Sequence, residues 1–199
     1  MEYDRQKYNL DETFSQLFVA RSKRLCRYVT GATCDQQKNC HTFEELLHEL
    51  DTYLPRLEKG DRHFFPSQHV DYQRFKQEFH SNHSQKDFKT GALYVWTAIR
   101  TFIEGSVEAF QSLGGVLSKN DFTVLENLGK NRCRIPFELR EGIYEEFLRY
   151  QTYKNRFDLW DDCDRVKHVL LRLEELKKKD SLAFDKVRRS KVYVDEIQG

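Results

Sequence analysis

The end of the chain carries the residues best suited to chemistry. The run Lys191–Val194 is rich in β-branched and aromatic residues, as strands are, and it leads directly into Asp195, Glu196 and Gln198. In nucleotide hydrolysis, an aspartate at the end of a buried strand holds Mg²⁺, and a neighbouring acidic side chain orients the attacking water. Asp195 and Glu196 fit these two roles. The same residues also fit a strand that ends in an exposed acidic turn.

Two predicted strands enclose a long helical stretch. A strand at Gln16–Ala20 is followed by a helix from about Ser22 to Val29, whose apolar residues recur at helical spacing. The chain returns to a strand only at Lys191–Val194. A parallel sheet with an inserted helical subdomain requires this order of elements, so the sequence predicts an α/β fold.

The residues after the two strands should meet in space. Arg21 and Ser22 follow the first strand, as Asp195 and Glu196 follow the last. Because the carboxyl ends of parallel strands lie at one edge of a sheet, we expect these side chains at the same edge. An arginine at the start of a helix is also common as a solvated surface residue.

The excursion between the strands is predicted to be helical. Thr42-Phe43-Glu44-Glu45 forms a capping box, and Ser118 opens another helix as its cap. Trp96, Phe102, Tyr144 and Phe147 could stack on nucleic-acid bases, but their helical spacing favours a core. The predicted helices beyond those caps are Asp71–Phe79, Gly91–Leu113, Leu139–Tyr150 and Cys163–Leu176.

Several segments resemble one family in the correct order. Val192–Gln198 resembles the Walker B segment of UvrD-like superfamily-one helicases, in which apolar residues precede Asp-Glu-x-Gln-Asp. Gln16–Cys26 resembles the helicase motif Ia, with Ala20 in place of the usual threonine. The helical insertion of one eukaryotic branch, typified by large TPR and ankyrin repeat-containing proteins with a UvrD-like ATPase core, resembles the segments Tyr94–Ser106, Arg140–Phe147 and Phe157–Asp164.

This resemblance implies a partial P-loop (RecA-like) parallel sheet with a large, mainly α-helical insertion. Residues 1–33 would belong to the ATPase lobe, 34–175 to the helical insertion, and 176–199 to the returning Walker B strand. The implied function is that of a fragment of an ATP-dependent helicase or ATPase. Its cofactors would be ATP and Mg²⁺, and its partners single-stranded DNA or RNA and the remaining ATPase lobe.

The resemblance also assigns roles to individual residues. Asp195 would hold Mg²⁺ through ATP, and Glu196 would act as the catalytic base. Gln198 would couple the nucleotide to the nucleic acid. Arg21 and Ser22 would contact the backbone of the single strand, because a cation and a hydroxyl suit phosphate oxygens.

The chain departs from the family pattern in two ways. The phosphate loop Gly-x-x-x-x-Gly-Lys-Ser/Thr does not occur in the sequence, and Gly199 stands where the family has aspartate. We therefore expect the fragment alone to be inactive, and its status as an enzyme stays open. The alternative is a non-catalytic helical interaction module or a remnant of such an ATPase.

Composition narrows the class of protein. The chain has 33 lysines and arginines against 32 acidic residues, which argues against a strongly basic DNA-coating protein. It has no apolar run of about 20 residues and no signal-peptide core, so we expect an intracellular protein without a membrane partner. Nucleus and cytoplasm are not distinguished. Five irregularly spaced cysteines indicate reduced thiols, with zinc at Cys34, Cys40 and His41 as the minor alternative.

Overall fold

The computed structural model describes residues 16–32, 40–58, 60–84, 89–112, 114–124 and 133–195. The chain divides into two compact units. The sheet unit comprises residues up to Asp61 and from Val169 onward, and the helical unit comprises Arg62–His168. The fold is mixed α/β, dominated by helices, with one small parallel sheet.

The helices and strands are numbered in chain order. The α3 helix contains a central π-helical stretch, Phe75–His80, and α4 ends in a second one, Ile99–Ile103. A short 3₁₀ turn lies at Pro66–Gln68. The elements are β1 (Gln16–Ala20), α1 (Lys23–Ala32), β2 (Cys40–Thr42), α2 (Phe43–Tyr53), α3 (Tyr72–Arg74, Phe75–His80 and Ser81–His83), α4 (Ala92–Ala98 and Ile99–Ile103), α5 (Val107–Gln111), α6 (Lys119–Thr123), α7 (Phe137–Arg156), α8 (Asp162–Lys179), α9 (Ser181–Val187) and β3 (Lys191–Asp195).

The three strands form a parallel sheet in the order β2-β1-β3. The two predicted strands, β1 and β3, pair directly, with Ala20 opposite Asp195. On its other side β1 pairs with β2, with Phe18 opposite Cys40. Because β2 is only Cys-His-Thr and has no apolar pattern, the sequence did not predict it. Cys40 and His41, two residues of the minor zinc alternative, lie in this strand, and Cys34 lies outside the described residues.

Polar side chains fix the helices of the sheet unit. The predicted capping box is present: Thr42 Oγ1 accepts from Glu45 N at 3.2 Å, and Glu45 Oε2 accepts from Thr42 N at 3.0 Å. Lys23 of α1 then pairs with Glu45 of α2 at 2.8 Å. Arg172 of α8 donates to the Pro55 carbonyl at 2.9 Å. These bonds satisfy backbone groups that helix ends and loops leave without partners.

The core of the helical unit is rich in aromatic residues. Trp96, Tyr144 and Phe147 are buried in it, as their helical spacing predicted, and Phe102 packs against it while half-buried. Phe75 packs against both Trp96 and Tyr150, with ring centroids 4.9 and 5.1 Å apart. Rings at these separations add specific edge and face contacts to the burial of apolar area.

The helix predicted over Gly91–Leu113 is wrong in its length. The α4 helix ends at Ile103, and a turn through Gly105 precedes α5. Gly105 lies so close to Arg100 that a Cβ atom would overlap the Arg100 carbonyl oxygen. Ser106 then caps α5 by accepting from Ala109 N at 3.0 Å. The apolar period runs on across this break, so periodicity alone predicted one helix.

Candidate functional site

The structure brings part of the predicted site together at the sheet edge. Because Ala20 pairs with Asp195, the ends of β1 and β3 lie side by side, and Arg21 and Ser22 follow directly. Both are exposed, whereas Asp195 is half-buried. Ser22 Oγ accepts from Leu25 N at 3.4 Å and so takes part in capping α1.

The described residues do not assemble a site for ATP and Mg²⁺ around Asp195. Among them, a single group of candidate metal ligands lies close enough to hold an ion, and it is in the helical unit. The phosphate-binding loop is missing from the sequence itself. Glu196 and Gln198 lie outside the described residues, so their catalytic roles, the Mg²⁺ role of Asp195, and ATP as cofactor stay predictions.

A buried ion cluster joins α7 to the start of α8. The Lys154 ammonium, 2% exposed, lies 2.8 Å from carboxylate oxygens of both Asp161 and Asp164. It is 3.7 Å from Glu104 Oε1. The Tyr150 hydroxyl donates to Asp161 Oδ2 at 2.9 Å. Sequence analysis missed this cluster, because its members come from three separate segments that only the fold brings together.

Burial sets the ionisation of these groups. Desolvation raises the pKa of Glu104 from 4.5 to about 8, although Lys154 opposes the shift. Burial alone would lower the pKa of Lys154, but the carboxylates of Asp161 and Glu104 outweigh it and raise that pKa. Burial likewise opposes ionisation of Asp161, yet Lys154 holds its pKa below the ordinary value. At neutral pH the cluster therefore holds the Lys154 ammonium, an ionised Asp161 and a neutral Glu104.

The candidate metal ligands in this cluster are already engaged in bonds within the protein. Single ligand atoms of Glu104, Asp161 and Cys163 lie within 4.8 Å of one another. Asp161 Oδ1, however, accepts from the backbone N–H of Cys163 at 2.9 Å and of Asp164 at 3.2 Å. Its other oxygen accepts from Lys154 and Tyr150. The Lys154 ammonium thus occupies the position that a metal cation would take, and the cluster is structural.

A second polar cluster forms around Asp162, the residue that follows Asp161 in the chain. Asp162 accepts from His69 Nε2 at 2.9 Å and from Arg100 at 2.7 Å. The hydrogen bond to Asp162 raises the pKa of His69, and the same bond, with Arg100, lowers the pKa of Asp162. The His69 ring also packs on Trp160, with centroids 4.4 Å apart.

An open apolar groove lies on the surface of the helical unit. It encloses about 430 Å³, and Leu93 on its wall is 60% exposed. An apolar side chain as large as Leu93 with this exposure marks the groove as a candidate binding surface. The groove is lined by Gly91, Leu93, Tyr94, Thr97, Ala98, Phe102 and Ile135.

Comparison with known proteins finds one distant similarity. Human TPR and ankyrin repeat-containing protein 1 is 28% identical over 178 residues, which cover 84% of this chain. The chain spans about 6% of the length of that relative. No protein-family model matches the chain, and no solved structure matches it.

These findings contradict the identification as a UvrD-like helicase core. The relative is named for its repeats, and no family model supports a helicase, a hydrolase or an ATP-binding protein. The sequence gives a physical reason for the same conclusion, because a chain without the phosphate loop lacks the backbone cradle for a nucleotide. The prediction of single-stranded nucleic acid and a second ATPase lobe as partners loses its basis.

None of the described helices combines the length and the apolar character that a membrane span needs.

Proposed function

We propose that this chain is a non-catalytic protein-interaction module whose helical unit binds a partner in the apolar groove. The observation that carries the proposal is the groove itself, where Leu93 and Tyr94 stand exposed on α4 beside the half-buried Phe102. The relative with TPR and ankyrin repeats supports it, since repeat arrays of that kind present extended binding surfaces.

The chemistry of the groove suits the apolar face of an amphipathic helix. Leu93 and Thr97 lie one turn apart on α4, and Ile135 adds a further apolar side chain to the lining. A volume of about 430 Å³ accepts a few large apolar side chains. Fully burying one leucine or phenylalanine contributes about 1.5–3 kcal/mol, so two or three anchors would give a stable complex.

A buried arginine holds backbone groups next to the groove. The Arg140 side chain of α7 donates to the carbonyl of Ile135 at 3.1 Å, of Cys133 at 3.2 Å and of Phe122 at 3.3 Å. These bonds hold Ile135 in place at the wall. A preformed wall lowers the entropic cost of binding, because Ile135 does not have to be fixed in place when the partner arrives.

The proposal extends to the origin of the sheet and to the location of the protein. A RecA-like origin for the sheet is supported by its parallel order alone. An intracellular location is supported by the odd number of cysteines, which does not suit a disulfide framework.

Substitution of Leu93 tests the groove directly. Helical peptides would be selected on the wild-type protein from a displayed library, and their affinities measured by fluorescence anisotropy. We expect Leu93→Asp to weaken binding by at least about 2 kcal/mol, roughly 30-fold, because it places a charge on an apolar anchor site. Leu148→Asp is the matched control, since Leu148 is an exposed leucine of α7 outside the groove lining.

The control variant also shows which results would contradict the proposal. If Leu93→Asp and Leu148→Asp weaken the peptides equally, or neither does, the groove is not the binding site. Far-UV circular dichroism of both variants shows whether either substitution has unfolded the helical unit instead.

A further inference from the structure

The α1 helix of the sheet unit exposes a row of arginines. Arg24, Arg27 and Tyr28 lie three and four residues apart, so they stand side by side on one surface. Arg21 precedes them by one further step of three residues. Tyr28 is 74% exposed, which is unusual for so large an aromatic ring. We call Arg21, Arg24, Arg27 and Tyr28 the arginine face.

The three guanidinium groups of this face have no ion-pair partner among the described residues. Within the described part of the chain, no carboxylate forms an ion pair with Arg21, Arg24 or Arg27. Lys23 between them differs, because it pairs with Glu45 at 2.8 Å. The face therefore presents fixed positive charge and a phenol in water, a combination suited to anionic oxygens such as those of carboxylates.

We infer that the arginine face binds an acidic segment of a partner protein, rich in aspartate and glutamate. Each guanidinium can hold one carboxylate through two parallel hydrogen bonds. The Tyr28 ring offers a flat apolar surface to the stems of those side chains, and its hydroxyl offers a donor. This surface is separate from the apolar groove, so the inference does not depend on the function proposed for that groove.

The size of the face favours an acidic peptide over nucleic acid. The face is short, because α1 has ten residues and spans only ~15 Å. Nucleic-acid affinity grows with the number of phosphates contacted, and a face of this length offers few such contacts. A short acidic segment needs no more than the contacts that this face provides.

The test measures binding of two labelled probes to the whole chain. One probe is a twelve-residue peptide of alternating glutamate and serine, and the other is the same peptide with glutamine for glutamate. We expect the acidic peptide to bind and the glutamine peptide not to bind. Arg24→Ala with Arg27→Ala should weaken the acidic peptide by at least tenfold, and added salt should weaken it further.

Matched variants distinguish specific binding at the arginine face from general electrostatic attraction to the protein. Lys178→Ala with Lys186→Ala removes the same charge from exposed positions of α8 and α9, and should change affinity by less than twofold. Arg24→Lys with Arg27→Lys keeps the charge but loses the fork geometry, so it should give an intermediate loss. Circular dichroism confirms that each variant is folded.

Three outcomes would overturn the inference. Equal losses in the alanine pairs at Arg24–Arg27 and Lys178–Lys186 would mean non-specific attraction to net charge. A twelve-nucleotide single strand that binds more tightly than the peptide, and depends on the same arginines, would identify nucleic acid as the ligand. Absence of binding by every probe at low salt would leave the arginines as a solvated surface.

Discussion

Glu104 makes the stability of the helical unit depend on pH. Its side chain is 7% exposed, and burial raises its pKa to about 8. The unfolded chain loses this proton near the ordinary value of 4.5, whereas the folded chain retains it. Between these values the folded state binds more protons, so the free energy of unfolding falls as pH rises. The slope from one group is at most about 1.4 kcal/mol per pH unit.

We therefore predict that Glu104→Gln flattens the pH profile. In the wild type, the urea midpoint should decrease from pH 5 to pH 8, and the variant should lose much of that decrease. His69 adds a smaller fall above pH 6.5, because its raised pKa stabilises the folded state only while the ring is protonated. Trp96 and Trp160 both lie in the helical unit, so their fluorescence follows its unfolding.

The exposed Glu138 supplies the control for this experiment. Glu138→Gln removes a carboxyl from the surface of α7 and should retain the wild-type trend. If Glu104→Gln keeps the full decrease between pH 5 and pH 8, the titrating group is another residue.

The Lys154 ammonium stabilises carboxylates that would be costly to bury without a cation. Removing it by Lys154→Met leaves Asp161 and Asp164 without their cation, and should lower the free energy of unfolding by about 3–5 kcal/mol. The exposed Lys76→Met should change it by less than about 0.5 kcal/mol. Both values follow from urea denaturation monitored by tryptophan fluorescence.

A second substitution shows whether charge is the cause. Asp161→Asn in the Lys154→Met background removes one of the two unpaired charges. Its Oδ1 atom still accepts from the backbone of α8. The double variant should therefore be more stable than Lys154→Met alone. A double variant with equal or lower stability would show that packing, rather than charge, sets the cost.

At the scale of elements, Gly105 decides where α4 ends. A side chain at this position would overlap the Arg100 carbonyl oxygen, so the turn between α4 and α5 requires glycine. We predict that Gly105→Ala destabilises the helical unit by at least about 2 kcal/mol in thermal or urea unfolding. Gly91→Ala is the control: a Cβ there meets nothing within 4 Å, and the cost should be about 1 kcal/mol or less. Equal costs would mean that the close approach is not the limiting contact.

The elements also show what a sequence can predict. The capping box at Thr42, the Ser118 cap, and the strands β1 and β3 all follow from local patterns, and the structure contains them. The end of α4 and the three-residue β2 depend on contacts with distant backbone, which no local period records. Arg140 and Lys154 are buried for the same reason: each is surrounded by partners that the fold supplies.

At the scale of the molecule, the site was harder to predict than the fold. The mixed α/β class followed from the order of strand, helices and strand. The proposed binding surfaces did not follow, because the same leucine period describes a core-facing stripe and an exposed wall such as Leu93. Of the arginine face, only Arg21 was predicted to contact phosphates, and the exposure of the face favours an anionic partner that the sequence did not indicate.

The helical unit should fold without the sheet unit, because its buried core cluster consists entirely of its own residues, from Val70 to Leu159. We predict that a fragment of residues 62–179, which retains the whole of α8, unfolds in urea in one cooperative transition. It should also bind the groove-selected peptides, and Leu93→Asp should weaken that binding as in the full chain. Val95→Asp, at a fully buried position of α4, is the control that should remove the transition. A fragment with helical circular dichroism but no cooperative transition would show that this core does not specify a unique fold by itself.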